Sequence, residues 1–275
     1  MIIDEGPDPP APAGFTYALD NSSSETPARF CALSSLFDRG TIRHLEDRGV
    51  CESWRCLEVG GGGGSIASWL ANRVGPTGHV VATDIDPKFL EPLAARNVEV
   101  RKHNIVTDPL PDASFDLIHA RLVLVHLPER EKALSRLASA LKPGGWLVDE
   151  ELDSISLLPD PAASPGEVIL NTQTAVMRFL KDRGVELRFG RLLYGRLRAH
   201  GFVEVGAEGR LSMWRGGSSD VSLMRTNFRQ LRGPLLDSVY IADQDLAQDL
   251  AHLDDPDFMA PSPIMWTAWG RRPSA

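Results

Sequence analysis

A chain of 275 residues, 43% hydrophobic and 24% charged, carries enough apolar material for one large core or two smaller ones. Its formal charge of −8 argues against any general attraction to nucleic acid or to an anionic membrane surface. No stretch approaches the roughly 18 consecutive apolar residues of a membrane helix, and three cysteines without a C-x-x-C spacing read as reduced thiols, so the expectation is a soluble cytoplasmic protein.

The opening "MIIDEGPDPPAPAG" is acidic and proline-rich, which reads as a tail rather than a targeting signal. From Glu25 to Arg48 the spacing of Phe30, Leu33, Leu36 and Phe37 predicts a helix. Residues 1–50 are thus expected to be a tail and helical cap, with the main domain at 51–275. Within that domain Arg55–Val59 reads as a buried strand. Ile66, Trp69, Leu70 and Val74 follow at helical spacing, closed by the turn "GPTG". A strand at Val80–Thr83, a helix at Pro87–Arg96 and strands at Val98–Arg101 and Phe115–His119 come next. Then a helix at Glu129–Leu141, the turn "KPGG" and a strand at Trp146–Glu150 complete the alternating part.

Strands alternating with helices predict a Rossmann-like, doubly wound, mostly parallel sheet of seven strands. The last 120 residues break the pattern. Helical segments at 167–183 and 189–200, a strand at Phe202–Trp214, a helical stretch at 219–250 and a final, antiparallel strand at Pro263–Trp269 are expected there. Insertions at about 153–187 and 216–258 are too long for simple turns and read as pocket walls or lids.

The most informative segment is "LEVGGGGGS", residues 57–65. Ordering a glycine costs roughly 0.5–1 kcal/mol of extra backbone entropy, so five in a row need a reason. Pinned between a strand and a helix, they are not a slack linker but the bend at which backbone amides can face a ligand. Two ligands fit that geometry. Gly62, Gly64 and Ala67 satisfy the dinucleotide pattern G-x-G-x-x-A, a weak signal by itself. Glu58, two residues before the first glycine, would repel a pyrophosphate and favour a ligand carrying an ammonium and a sulfonium. Asp84, ending the second strand in "VVATDID", can accept both hydroxyls of a ribose in either case.

Four pieces then stand in one order: "LEVGGGGG" (57–64), "VVATDID" (80–86), "HNIVTDPLPDASFDLIHARLVLVHL" (103–127) and "LKPGGWLVDEE" (141–151). Together they make the span 56–150 resemble the class I S-adenosylmethionine-dependent methyltransferases, in particular the ubiquinone/menaquinone-biosynthesis-like branch. The resemblance implies S-adenosyl-L-methionine as cosubstrate, S-adenosyl-L-homocysteine as product, and methyl transfer to O, N or C of a small, secondary-metabolite-type molecule.

It also implies cofactor contacts from Glu58, Gly60, Gly61, Gly62, Gly64, Ser65 and Asp84. Ile85 and Ile105 would flank the adenine, Asn104 would meet its amino group where the family commonly has an acid, and Ala120 and Arg121 would border the methionine part. Tyr17 and Arg29 would fold over the cofactor. No metal is expected: Asp84 and Asp86 have the spacing of a metal pair, but Pro87 beside Asp86 more simply marks a helix start.

Methyl transfer needs alignment and exclusion of water, and a base only if the acceptor must lose a proton. Candidate bases are Glu150 and Glu151, with Asp153, at the end of the fifth strand, and His126 after the fourth. Trp214, Met213, Met224, Phe228 and Tyr240 supply apolar surface suited to a ring-bearing acceptor. Partners are expected to be a small molecule, neither nucleic acid nor membrane, with homodimerisation open. Two other readings stand beside the methyltransferase: a cofactor-binding scaffold without turnover, and an NAD(P)-dependent oxidoreductase.

Overall fold

The computed structural model describes residues 17–19, 21–95, 97–156 and 166–274, so the expected tail at 1–14 lies outside it. Nine strands occur among the described residues: β1 (Arg55–Val59), β2 (His79–Asp84), β3 (Val98–Lys102), β4 (Phe115–Arg121), β5 (Leu141–Asp153), β6 (Val203–Arg210), β7 (Met213–Arg215), β8 (Met259–Pro261) and β9 (Ile264–Arg271). Seven form one sheet in the order β3-β2-β1-β4-β5-β9-β6. β1 to β5 pair in parallel, whereas β9 runs antiparallel to both β5 and β6. This is the doubly wound sheet with an antiparallel last strand that the alternation predicts.

Both faces of the sheet are covered, as a parallel sheet requires. On one, Leu45 of α1 (Thr26–Asp47) and Ile66, Leu70 and Val74 of α2 (Ser65–Val74) pack on Cys56, Val80, Leu117 and Val148. On the other, Leu134 and Leu137 of α3 (Arg130–Ala140) and Leu193 and Leu197 of α5 (Phe189–Ala199) cover Leu57, Val81, Ile118 and Leu147. Strand order reverses between β1 and β4, so a crevice opens at their carboxyl ends, where ligands bind in such sheets.

A second core stands over that crevice. α4 (Gly166–Lys181), α6 (Ser222–Asp237), α7 (Asp243–His252) and the β7–β8 ribbon bury Phe179, Trp214, Phe228, Leu231, Leu246 and Phe258 together. The backbone N–H and hydroxyl of Thr172 both donate to Asp249, tying α4 to α7. α1 joins cap to sheet, because Ala32 and Leu33 pack with Leu223 of the cap and with Leu152 and Met265 of the sheet.

Several elements differ from the sequence reading. The helix expected at Pro87–Arg96 is two 3-10 turns, Pro87–Phe89 and Glu91–Leu93. Pro92 has no N–H to donate and its ring clashes with the preceding turn, so an α-helix cannot run through it. "KPGG" is part of the long β5 rather than a turn before it, absorbed by a register shift against β4. The strand expected at Phe202–Trp214 is broken at Leu211 and Ser212, its second piece leaving the main sheet for the ribbon. The helical stretch at 219–250 is two helices, with Pro234 tolerated inside the first.

Candidate active site

The glycine run bends tightly between β1 and α2, and its backbone explains its composition. Gly60 has φ +62 and Gly64, which caps α2, has φ +81, both left-handed values that side chains disfavour. Space is the second constraint. A Cβ on Gly60 would lie 2.4 Å from Val123 Cγ2, and one on Gly64 would lie 2.3 Å from Leu93 Cδ1. Phe30 of α1 presses on Gly62 and Gly63 in the same way. What approaches the bend is therefore partly the protein itself. Three of its amides also have protein partners: Gly61 N–H donates to Thr83 O, Gly62 N–H to Asp84 Oδ2 and Gly64 N–H to Gly61 O.

A cavity of about 390 Å³ opens beside this bend, within the usual range for small-molecule sites. At its polar end stand Glu58, Gly60–Gly63, Ser65, Asp84 and Ile85. Asp84 Oδ2 and Oδ1 accept the Gly62 and Asp86 amides at 3.1 and 3.0 Å, and burial raises its carboxyl above the ordinary range against those bonds. The cavity continues between α4, α6 and the ribbon, where Val176, Leu180, Trp214, Leu223, Met224 and Phe228 line it. Tyr17 and His126 stand in the wall, their rings edge to face at 5.0 Å. Arg29 donates to Leu19 O at 2.9 Å, holding the segment that carries Tyr17.

Glu58 is buried, and its Oε2 lies 2.7 Å from Nδ1 of His119, a fully buried side chain. The far ring nitrogen of His119 faces Glu150 Oε2 at 3.5 Å. Glu150 in turn accepts from Arg210 at 2.8 Å, from the Thr267 hydroxyl at 2.5 Å and from the Thr41 hydroxyl. Arg121 donates to Thr41 Oγ1 and Asp38 Oδ1, both at 2.9 Å. A continuous ionic chain thus runs from the cavity floor through the sheet to α1.

Burial alone would depress the His119 imidazolium. The two carboxylates, Glu58 first, outweigh it and raise the pKa to about 9 from an ordinary 6.5. Stability from this pairing is then complete below about pH 6.5 and is lost as pH rises through about 9. Asp149, pushed up by burial to about 8, acts with the same sign. Urea midpoints are expected to fall between pH 6.5 and 9, less steeply in His119→Asn. Equal slopes in the two proteins would contradict a charged His119.

This geometry corrects the assignment of Glu150 and Glu151 as bases. Both are fully buried and neither lines the cavity. Glu150 belongs to the ionic chain. Glu151 Oε1 accepts the Val123 and Val125 amides at 3.1 and 3.2 Å, holding the segment that leads to His126. Burial, with Asp149 beside it, raises the Glu151 carboxyl well above its ordinary value. Asp153 is buried against Arg191 at 2.5 Å.

Other residues land differently. Ala120 and Ile105 are core residues, Gly64 caps a helix, and none of them lines the cavity. Asn104 is exposed, its Oδ1 accepting the Val106 amide at 2.9 Å in an Asx turn. Arg121 borders the cavity, but its guanidinium is turned to α1. Met213 is 48% exposed on the outer face of the ribbon, and the Tyr240 hydroxyl meets Asp182 at the surface. The sequence reading missed Gln173 and Asn227, polar residues on amphipathic helices, whose usual place is solvent; no local signal marks them as cavity residues. Among the described residues no His, Cys, Asp and Glu cluster is arranged to hold a metal, and no helix is long and apolar enough to cross a membrane.

Comparison with known proteins finds the same resemblance. Residues 57–149 match the family model "Methyltransferase domain". Methyltransferase str3 of Strobilurus tenacellus is 31% identical over 144 residues, 52% of this chain and 50% of that protein. The ubiquinone/menaquinone biosynthesis C-methyltransferase UbiE of Ectopseudomonas mendocina (strain ymp) is 34% identical over 124 residues, 42% of this chain and 47% of that one. The chain thus matches about half the length of these curated relatives. Phosphoethanolamine N-methyltransferase 2 of Haemonchus contortus, solved with phosphomonomethylethanolamine and S-adenosylhomocysteine, shares the fold at TM-score 0.59 and 15% identity, covering 95% of this chain and 60% of that one. With its sheet order, its glycine bend and these matches, the chain is similar to the class I S-adenosylmethionine-dependent methyltransferases, the match to their domain model spanning residues 57–149.

Proposed function

We propose that this protein transfers a methyl group from S-adenosyl-L-methionine to a small apolar acceptor. One observation carries the reading: a cavity whose polar end holds the carboxylates of Glu58, Asp84 and Asp86 beside a side-chain-free bend runs on into an apolar chamber. The residues fit the cofactor. Glu58 gives one oxygen to His119 and leaves Oε1 without a protein partner among the described residues, available to an ammonium. Asp84 retains lone pairs for a ribose diol, and Ile85, half exposed at 50%, offers an apolar face to an adenine. When bound, S-adenosylmethionine supplies a methyl group already activated by a positively charged sulfur.

The chain's own residues then align and shield. Closing the chamber with α4 and α6 excludes water, and alignment alone can lower a barrier by several kcal/mol. Burial first, then Arg29 and Arg130, lowers the His126 pKa to about 3, so the imidazole is neutral at physiological pH and too weak a base to take a proton, but it can accept a hydrogen bond from an acceptor O–H or N–H. Burial holds the Tyr17 phenol protonated beside it. In this reading His126 orients the acceptor through that hydrogen bond, and no base comes from the end of β5.

Isothermal calorimetry tests the cofactor half. Wild type should bind S-adenosylmethionine, and Glu58→Gln or Asp84→Ala should weaken it about 10- to 100-fold, the loss of one charged hydrogen bond of about 1.5–3 kcal/mol. Wild-type affinity in both variants would refute the site. Incubation with cell extract should yield a product heavier by one methyl group.

A further inference from the structure

The chamber beyond the glycine bend has an unusual electrostatic character. Among the described residues, every ionic side chain lining the cavity sits in the cofactor half or at its border: Arg29, Glu58, Asp84, Asp86 and Arg121. Each already has a partner: Arg29 with Leu19 O, Arg121 with Asp38, Glu58 with His119, Asp84 with backbone amides and Asp86 with Lys88. The acceptor half is lined by apolar and aromatic side chains, and among the described residues it has no unengaged charge of either sign. A charged group buried there would lose its hydration without gaining a counter-ion.

Two amides interrupt this apolar wall. Asn227 of α6 carries a side-chain oxygen sealed from solvent with no hydrogen-bond partner, although Asn227 lines the cavity. Gln173 of α4 lines the same space, and its amide makes no hydrogen bond to a described residue. A buried acceptor without a donor is costly, and native sites that retain one commonly satisfy it with a ligand or ordered water.

Resting on the methyltransferase reading above, we infer that the acceptor is an uncharged hydrophobic molecule carrying an O–H or N–H donor, which it presents to Asn227 Oδ1. Its apolar body lies against Trp214, Met224 and Phe228, and Gln173 meets the same polar group from the facing helix. Anionic and cationic acceptors are rejected because the described residues of the chamber offer nothing to neutralise them. The polar amides set which end of the molecule is buried, leaving the other end directed at the methyl donor.

Equilibrium dialysis at pH 7 of the full chain, saturated with S-adenosylhomocysteine, against 2-naphthol, naphthalene and naphthalene-2-sulfonate tests this. The naphthol should bind, and the sulfonate should bind at least tenfold more weakly. Asn227→Leu should weaken naphthol about tenfold and leave naphthalene within twofold, and Gln173→Leu should act in the same direction. Melting curves confirm that each variant is folded, and either variant alone suffices. Equal binding of sulfonate and naphthol, an equal loss of naphthol and naphthalene in the folded variants, or no binding of any probe overturns the inference. Calorimetry with S-adenosylhomocysteine separates the two levels. Cofactor binding with any of those outcomes overturns the acceptor class alone, and absence of cofactor binding overturns both.

Discussion

Glu150→Ala is expected to destabilise the protein by about 3–5 kcal/mol, the usual cost of removing one partner from a buried ionic network. Its carboxylate accepts from Arg210, Thr41 and Thr267 and faces His119 from the side opposite Glu58. Neighbouring cations hold it ionised, moving its pKa below the ordinary carboxylate range although burial works the other way. Without it, the imidazolium of His119 retains one counter-ion in place of two, and the Arg210 guanidinium loses its partner inside the protein. At roughly 2–4 °C per kcal/mol for a large domain, the melting temperature should fall by on the order of 10 °C. Glu150→Gln keeps one oxygen to accept a hydroxyl, loses the charge and should lie between. An alanine variant that melts like wild type while methyl transfer is abolished would return Glu150 to the reacting centre and refute its place in the ionic chain.

Gly60→Ala is expected to cost about 2–5 kcal/mol. A left-handed backbone costs an alanine roughly 1–2 kcal/mol, and overpacking a close contact adds about 1–3 kcal/mol. The contact here is Val123 Cγ2, 2.4 Å from the new methyl. Val123 has little freedom to retreat. Leu122 before it is already at φ +57, and Glu151 accepts the amides of Val123 and Val125. The push therefore travels along the segment that carries His126, so S-adenosylmethionine affinity should fall at least tenfold with stability. Gly195→Ala is the control. It lies on the exposed face of α5 with no atom within 4 Å of its new Cβ, and the change should stabilise by up to about 1 kcal/mol. Equal melting shifts in the two variants would show that the bend tolerates side chains.

The sheet and the polar end of the site were legible because they depend on local pattern. Alternation of short apolar strands with amphipathic helices leaves a parallel sheet as the economical way to bury both faces. Glycines at a strand-to-helix bend, with acids at two strand ends, place a polar pocket at the carboxyl edge. Errors arose where one residue vetoed a pattern, as Pro92 does in the expected helix at 87–96, or where a strand changed sheets, as at Leu211 and Ser212.

By itself, then, the sequence determined the order of the strands' chain segments, the glycine bend, the acids flanking it and the family they point to. Only tertiary structure decided which carboxylates face the cavity. Glu58, Glu150 and Glu151 all stand near strand ends, yet Glu58 alone of the three opens to the cavity; Glu150 points into an ionic chain with α1 and Glu151 into the segment after β4. The choice is made by partners 26 to 117 residues away in the chain. The same holds for Gln173 and Asn227, which become cavity residues only when α4 and α6 close over the sheet. Charge and hydrogen bonding act over a few ångströms, and it is the fold, not adjacency along the chain, that sets which groups come that close.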